Sequence, residues 1–242
     1  MYKNIVFDIY GTLVDVNTDE SSLDRWAQLA KVMAFYGVNY SAAELCGGYF
    51  GLCKKYMDEG MQKREYPEVD VVKVFVDLFA NKGKKVSEAF AERIAQQFRI
   101  LTLNHLALYP NVAETLTELK RRGKKLYILS NAQAAFTKVE LSTLGLTGHF
   151  TGIAYSSDYG CAKPSAEFFD RFVAKYKLNK AETLYVGNDA RCDVDGANNA
   201  GIHCLWIKSN LTDGNVKPAT KPRFTVEDGD FAKILSATDE AE

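Results

Sequence analysis

Carboxylates, an ammonium and hydroxyls recur in this chain at the ends of short apolar runs, where a fold can bring them together. Asp8 follows Lys3-Asn4-Ile5-Val6-Phe7, which reads as a short buried strand, and opens the segment Asp8-Ile9-Tyr10-Gly11-Thr12-Leu13-Val14-Asp15. A carboxylate at the C-terminal end of the first strand of an α/β sheet lies where such sheets bind ligands. Gly11 permits a sharp turn beside it, and Thr12 offers a hydroxyl to a bound anion. Three more segments follow similar runs or loops: Ser130-Asn131, Lys163-Pro164, and Gly187-Asn188-Asp189-Ala190-Arg191-Cys192-Asp193. A carboxylate nucleophile splits a hard displacement into two easier steps through a covalent aspartyl intermediate. An anionic substrate and Asp8 repel, so something cationic must neutralise both. Asp189 and Asp193, four residues apart, are spaced to converge with Asp8 on one hard divalent cation, for which Mg²⁺ is the expectation. Lys163 would add a fixed ammonium, while Thr12, Ser130, Asn131 and nearby amides would hold the anionic group.

Taken in order, these segments resemble the four motifs of the haloacid dehalogenase superfamily of hydrolases, over residues 3 to about 207. The resemblance implies a Rossmann-like core with Asp8 as nucleophile, Lys163 as a catalytic cation and the Tyr10 backbone carbonyl as a further metal ligand. It implies a small-molecule substrate without fixing which one. Two departures matter. Family members often place Asp directly after the glycine with a second Asp five residues on, positions held here by Asn188 and Asp193. A shorter variant spaces its acids four apart, as Asp189 and Asp193 are. Asp189 is therefore the preferred direct ligand, with Asp193 close by or acting through water and Asn188 the neutral fallback. Asp195 reads as a solvated or helix-end charge.

The second departure concerns Tyr10. Phosphatases of the family usually carry Asp at this position, as acid for the leaving group and base for water. A phenol of ordinary pKa near ~10 is a poor exchangeable base at neutral pH. Tyrosine there is typical of the family's 2-haloacid dehalogenases, whose halide needs no proton. That branch works without metal, generally lacks the acidic pair, and grips a substrate carboxylate with a cap arginine. The matching offset here is Asn39, with Arg25 and Arg64 as substitutes, and the tyrosine expected six residues after the motif-three lysine is Phe169. Mg²⁺-dependent hydrolysis of a small phosphomonoester is the favoured reading. Metal-independent dehalogenation of a 2-haloacid is the alternative enzyme. A low-turnover binding or regulatory protein on the same fold is the alternative of another class. Response-regulator receivers share the Asp, Lys, Ser/Thr and Mg²⁺ set, but the inserted helical region argues against them.

The elements that must position these groups follow two patterns. Between residues 16 and 105 the apolar residues recur at helical spacing, as in Leu23, Trp26, Ala27, Ala30, Met33 and Ala34. Val72, Phe75, Val76 and Phe79 repeat the pattern, as do Phe90, Ala91, Ile94, Ala95, Phe98 and Leu101. From residue 112 onward strands and helices alternate, which implies parallel βαβ units. Asn111 with Glu114 predicts a helix start and Gly123 its stop, and a final helix is expected near 230–237. The expected architecture is α/β, a Rossmann-like parallel sheet core at 1–15 and 106–242 with an all-helical cap subdomain at 16–105. Linkers near 14–20 and 103–111 would be its hinges. Tyr49, Lys54, Lys55 and Arg64 are polar cap residues available to a substrate.

Composition narrows the partners. With 30 basic and 31 acidic residues, the net charge of -1 gives no whole-chain attraction to nucleic acid or anionic membrane. No apolar run approaches the roughly 20 residues that span a bilayer, and no secretory signal is visible, so a cytoplasmic protein is expected. Cys46, Cys53, Cys161, Cys192 and Cys204 form no CxxC pair and read as reduced thiols, Cys192 as a buried inert one. His105, His149 and His203 show no metal-ligand spacing. None of these features specifies an oligomeric state.

Overall fold

The computed structural model describes residues 2–239. Six strands form one sheet: β1 (Asn4–Phe7), β4 (Lys125–Ser130), β5 (Gly152–Tyr155), β6 (Thr183–Gly187), β7 (His203–Ile207) and β8 (Phe224–Val226). Their order is β5-β4-β1-β6-β7-β8 and every pairing is parallel. The first strand runs between β4 and β6, with Phe7 opposite both Ile128 and Val186. Neighbouring residues of these strands are buried on opposite faces. Ile5, Phe7, Leu126, Ile128, Leu184 and Val186 enter one apolar cluster, and Val6, Tyr127, Leu129 and Tyr185 the other. A sheet covered on both faces needs apolar residues at every position, which is why these strands read as continuous apolar runs.

The connecting helices are α5 (Val112–Arg121), α6 (Ala134–Thr143), α7 (Ser156–Tyr159), α8 (Ala166–Tyr176), α9 (Gly196–Asn199) and α10 (Ile234–Asp239). A six-residue π turn, Ala190–Asp195, precedes α9. Gly123 ends α5 at φ 76. Asn111 does not cap that helix with its side chain. It sits at φ 65 and its amide donates to Asp230 Oδ1 at 3.3 Å.

After the first strand the chain leaves the sheet for four helices, α1 (Leu23–Phe35), α2 (Ala42–Met61), α3 (Val71–Ala80) and α4 (Glu88–Thr102). They bury a cluster of their own around Trp26, Tyr49, Phe75 and Phe98, with Ala135 of α6 joining it. Trp26 and Phe98 stack at 4.9 Å, and Tyr49 lies 5.0 Å from Phe98. A reciprocal Ser41–Glu44 capping box starts α2.

The expectation of helix throughout 16–105 is corrected at both ends. Residues Val14–Thr18 and Leu103–Leu108 form an antiparallel two-stranded ribbon, β2 and β3. The Asn104 amide donates to Asn17 Oδ1 at 2.7 Å across it, and His105 faces Asp15 at 3.4 Å. Each strand half-buries one face, and helical spacing cannot report so short a pair. The three-residue β8 lies in the Lys/Pro/Thr-rich tail and was likewise not expected from sequence.

Candidate active site

Adjacent strands of a parallel sheet deliver their C-terminal ends to one edge, and at the point where connections diverge they leave a crevice. Asp8 immediately follows β1 at that edge, its backbone N–H donating to Val186 O of the next strand at 3.0 Å. Ser130 ends β4, the motif Gly187–Asp193 follows β6, and Lys163 arrives from the loop after β5 and α7 through a cis Lys163–Pro164 bond.

Lys163 organises this edge. Its ammonium donates to Asp8 Oδ1 at 2.7 Å, Asp193 Oδ1 at 2.6 Å and Tyr185 Oη at 2.7 Å. Lys163 is 4% exposed and Asp193 0%. Burial alone would discharge the lysine, but the Asp193 and Asp8 carboxylates outweigh it and hold its pKa above the ordinary lysine range. Burial raises the Asp193 carboxyl above the usual carboxylate range, against the pull of Lys163. Both Asp193 oxygens are taken: Oδ1 also accepts from Tyr185 at 3.0 Å, and Oδ2 accepts from the Asp189 backbone N–H at 2.8 Å. A Cβ at Gly187 would come within 2.5 Å of the Asp193 side chain, so glycine is required there for this carboxylate to reach the lysine.

Tyr185 was not anticipated. In sequence it is one aromatic in a β-forming run, yet a tyrosine buried in a central strand must find a partner for its hydroxyl. Here that hydroxyl meets Lys163, Asp193 and Leu129 O at 2.9 Å. Asn131 also has a different task from the expected one. Its Oδ1 accepts from the Lys163 backbone N–H at 2.7 Å and its Nδ2 donates to Lys163 O at 3.0 Å. Both polar atoms therefore fix the lysine and are not free for a substrate. Ser130 is the opposite case. Its hydroxyl is buried and has no partner among the described residues, which leaves it available to an incoming anion.

In the fourth motif the two candidate side chains lie in different places. Asp189 is exposed, and its Oδ1 accepts from the Arg191 and Cys192 N–H groups at 2.8 and 2.6 Å, capping the π turn. Asn188 is buried against motif one. A Cβ on Gly11, which stands at φ 83, would lie 2.4 Å from Asn188 Nδ2, and Thr12 donates to Asn188 Oδ1 at 3.3 Å. Trp206 Nε1 donates to Asn188 O at 2.9 Å and fixes the turn from behind. Among the described residues no group of three or more His, Cys, Asp and Glu side chains is placed to hold a metal. Of the three carboxylates expected to converge, Asp8 and Asp193 meet at the Lys163 ammonium, whereas Asp189 caps the π turn. Asp195 accepts from Ala219 N and Thr220 N at 3.0 and 2.7 Å and tethers the tail. Cys192 is half-buried, and burial first of all pushes its thiol up to about 12; all five cysteines are free.

Tyr10 turns its hydroxyl to α6, donating to Glu140 Oε2 and lying 2.9 Å from Thr137 Oγ1. Burial and the Glu140 charge push its pKa far above the phenol range, against the pull of Arg99. Arg99 of α4 meets Glu140 at 2.5 Å, a pair absent from the sequence reading. The cap candidates have other partners. Arg25 donates to Leu101 O at 3.0 Å, Arg64 to Gly160 O at 3.0 Å, and Lys54 pairs with Asp58 at 2.8 Å. Lys55 faces Glu59 at 3.9 Å, Asn39 is exposed, Tyr49 belongs to the insertion's core, and Phe169 packs on Tyr185 at 5.5 Å. No helix among the described residues is long and apolar enough to cross a membrane.

Comparison with known proteins bears on this arrangement. A family model for haloacid dehalogenase-like hydrolases matches residues 2–201. The phosphoserine phosphatase of Thermus thermophilus is 30% identical over 130 residues, which is 54% of this chain and 51% of that protein. The chain therefore spans about half the length of this curated relative. Two solved structures share the fold along nearly the whole chain. A predicted phosphoglycolate phosphatase from Haemophilus somnus has a TM-score of 0.59 at 24% identity, covering 98% of each chain. The L-2-haloacid dehalogenase of Xanthobacter autotrophicus with chloropropionic acid covalently bound has a TM-score of 0.58 at 19% identity, covering 100% of each.

Proposed function

This chain belongs to the haloacid dehalogenase-like hydrolases, and we propose that it hydrolyses a small phosphomonoester by transferring the phosphoryl group to Asp8. The observation that carries this reading is the pairing of Asp8 with the buried Lys163 ammonium at 2.7 Å beside the unpartnered Ser130 hydroxyl. Lys163 holds the carboxylate in one orientation, and Ser130 supplies a donor to the oxygens that gather charge. Phosphatase names among the relatives agree with a phosphoryl substrate.

Magnesium is the metal proposed for this reading. The residues left to hold it are Asp8, the Tyr10 carbonyl and Asn188 Oδ1, since Asp189 caps a turn and Asp193 is saturated. One carboxylate with neutral oxygens suits an ion that arrives shared with substrate phosphate, because Mg²⁺ keeps waters and uses few protein ligands. When bound, such an ion would neutralise charge between Asp8 and the phosphoryl oxygens.

Tyr10 offers the leaving group no proton, because its hydroxyl already donates to Glu140. That observation favours a second reading, displacement of halide from a 2-haloacid without metal, in which no proton is needed. We further propose that residues 16–105 move as a unit about the β2–β3 ribbon to admit substrate and exclude water. A panel of phosphate esters and 2-haloacids, each with and without Mg²⁺, tests the choice. Mg²⁺-dependent phosphate release is expected; metal-independent chloride release with no phosphatase activity would replace the first reading by the second.

A further inference from the structure

The four-helix insertion meets the sheet domain through a buried ion pair that ends on the motif-one turn. Arg99 Nε of α4 donates to Glu140 Oε1 of α6 at 2.5 Å, with side-chain exposures of 11% and 9%. The other Glu140 oxygen accepts the Tyr10 hydroxyl. The Arg99 guanidinium lies 5.5 Å from the Tyr10 ring centre and 4.9 Å from that of Phe136. Gln96, one turn earlier on α4, donates to Ala135 O at 2.9 Å, so the same two helices are fastened twice. Beyond Thr102, α4 passes directly into β3 of the ribbon.

A buried pair is costly to separate, because each charge would be left without its partner. Lifting the insertion off α6 takes Arg99 from Glu140 and removes the cation that balances the acceptor of the Tyr10 hydroxyl. Tyr10 lies two residues beyond Asp8, inside a turn held by short backbone bonds: Gly11 N–H to Val14 O at 2.9 Å and Leu13 N–H to Ile9 O at 2.8 Å. Its side chain is the handle by which α6 and α4 reach that turn.

We propose that Arg99 and Glu140 are positioning residues that couple closure of the helical insertion to the geometry of the motif-one turn, acting through the Tyr10 hydroxyl. The consequence for turnover rests on Asp8 being the nucleophile; the coupling itself does not. It explains why a tyrosine occupies a position from which it cannot exchange a proton with substrate: its hydroxyl senses the insertion.

Amide hydrogen exchange on the full chain tests this without any substrate. Arg99→Gln should speed exchange at the α4–α6 contact and also at Gly11, Thr12, Leu13 and Val14, by roughly tenfold or more. Tyr10→Phe should speed exchange at residues 11–14 while α4 and α6 stay protected, since it cuts the link and leaves the ion pair. Arg99→Lys keeps the charge and carries the test if Arg99→Gln fails to fold; it should give the same pattern more weakly. Acceleration confined to α4 and α6, with the motif-one turn unchanged in every variant, would overturn the proposal and leave the pair a purely structural clasp. Asp8→Asn should exchange like the wild type at residues 11–14, so a failure of the nucleophile assignment is read separately, from turnover.

Discussion

Lys163 Nζ stands 2.7 Å from Asp8 Oδ1 and 2.6 Å from Asp193 Oδ1, so one buried ammonium serves two carboxylates that would otherwise repel each other. Removing a single member of such a set leaves uncompensated charge in the interior. Lys163→Met should therefore cost about 3–5 kcal/mol of stability as well as activity, measured by urea unfolding. Asp8→Asn keeps size and hydrogen bonding, leaves Lys163 with Asp193, and should alter stability far less while nearly abolishing turnover. Equal destabilisation by both substitutions would contradict this division of labour.

Asn188 occupies the motif-four position that faces Gly11 and Thr12, while Asp189 points away to the π turn. Asn188→Asp should strengthen Mg²⁺ binding in the absence of substrate, and Asp189→Ala should leave it unchanged. Isothermal titration with Mg²⁺ reads both. A loss of metal affinity in Asp189→Ala alone would restore Asp189 as a ligand.

Because the Tyr10 hydroxyl donates to Glu140, an alkyl leaving group receives no proton from it. Missing general acid help costs roughly 10²–10⁴ in rate. Aryl phosphates, whose leaving groups are stable as anions, should be turned over much faster than alkyl phosphates. Equal rates on p-nitrophenyl phosphate and a simple alkyl phosphate would show that another group supplies the proton.

The pH profile should be flat on its basic side. Lys163 is held charged by Asp193 and Asp8 against its burial, and Tyr10 is held neutral by burial and Glu140. A raised lysine pKa keeps the ammonium as pH rises, and a raised phenol pKa keeps the proton. Neither should titrate between about pH 7 and 10. A basic limb in turnover centred in that window, with the fold intact by circular dichroism, would be inconsistent with both assignments.

Much of this site was legible in sequence because its residues follow apolar runs that become the central strands. Asp8, Ser130 and Lys163 each stand just beyond such a run or its loop, and all three meet at one sheet edge. What sequence could not decide turned on local geometry. Which of Asn188 and Asp189 faces motif one depends on a π turn whose backbone amides take up the Asp189 carboxylate. Asn131 looks like a substrate ligand until its amide is seen to grip the Lys163 backbone. Arg99 and Glu140 lie on separate helices 41 residues apart and carry no motif. The ribbon at 14–18 and 103–108 joins segments that look like linkers because each strand is short and its partner is distant.

The most direct test of Asp8 as nucleophile is a rapid acid quench during turnover of the best ester in the panel, followed by mass analysis of the peptide that contains Asp8. A phosphoryl adduct on Asp8, absent from Asp8→Asn, is the predicted result. Full turnover with no adduct on that peptide at any quench time, together with retained activity in Asp8→Asn, would contradict the covalent route.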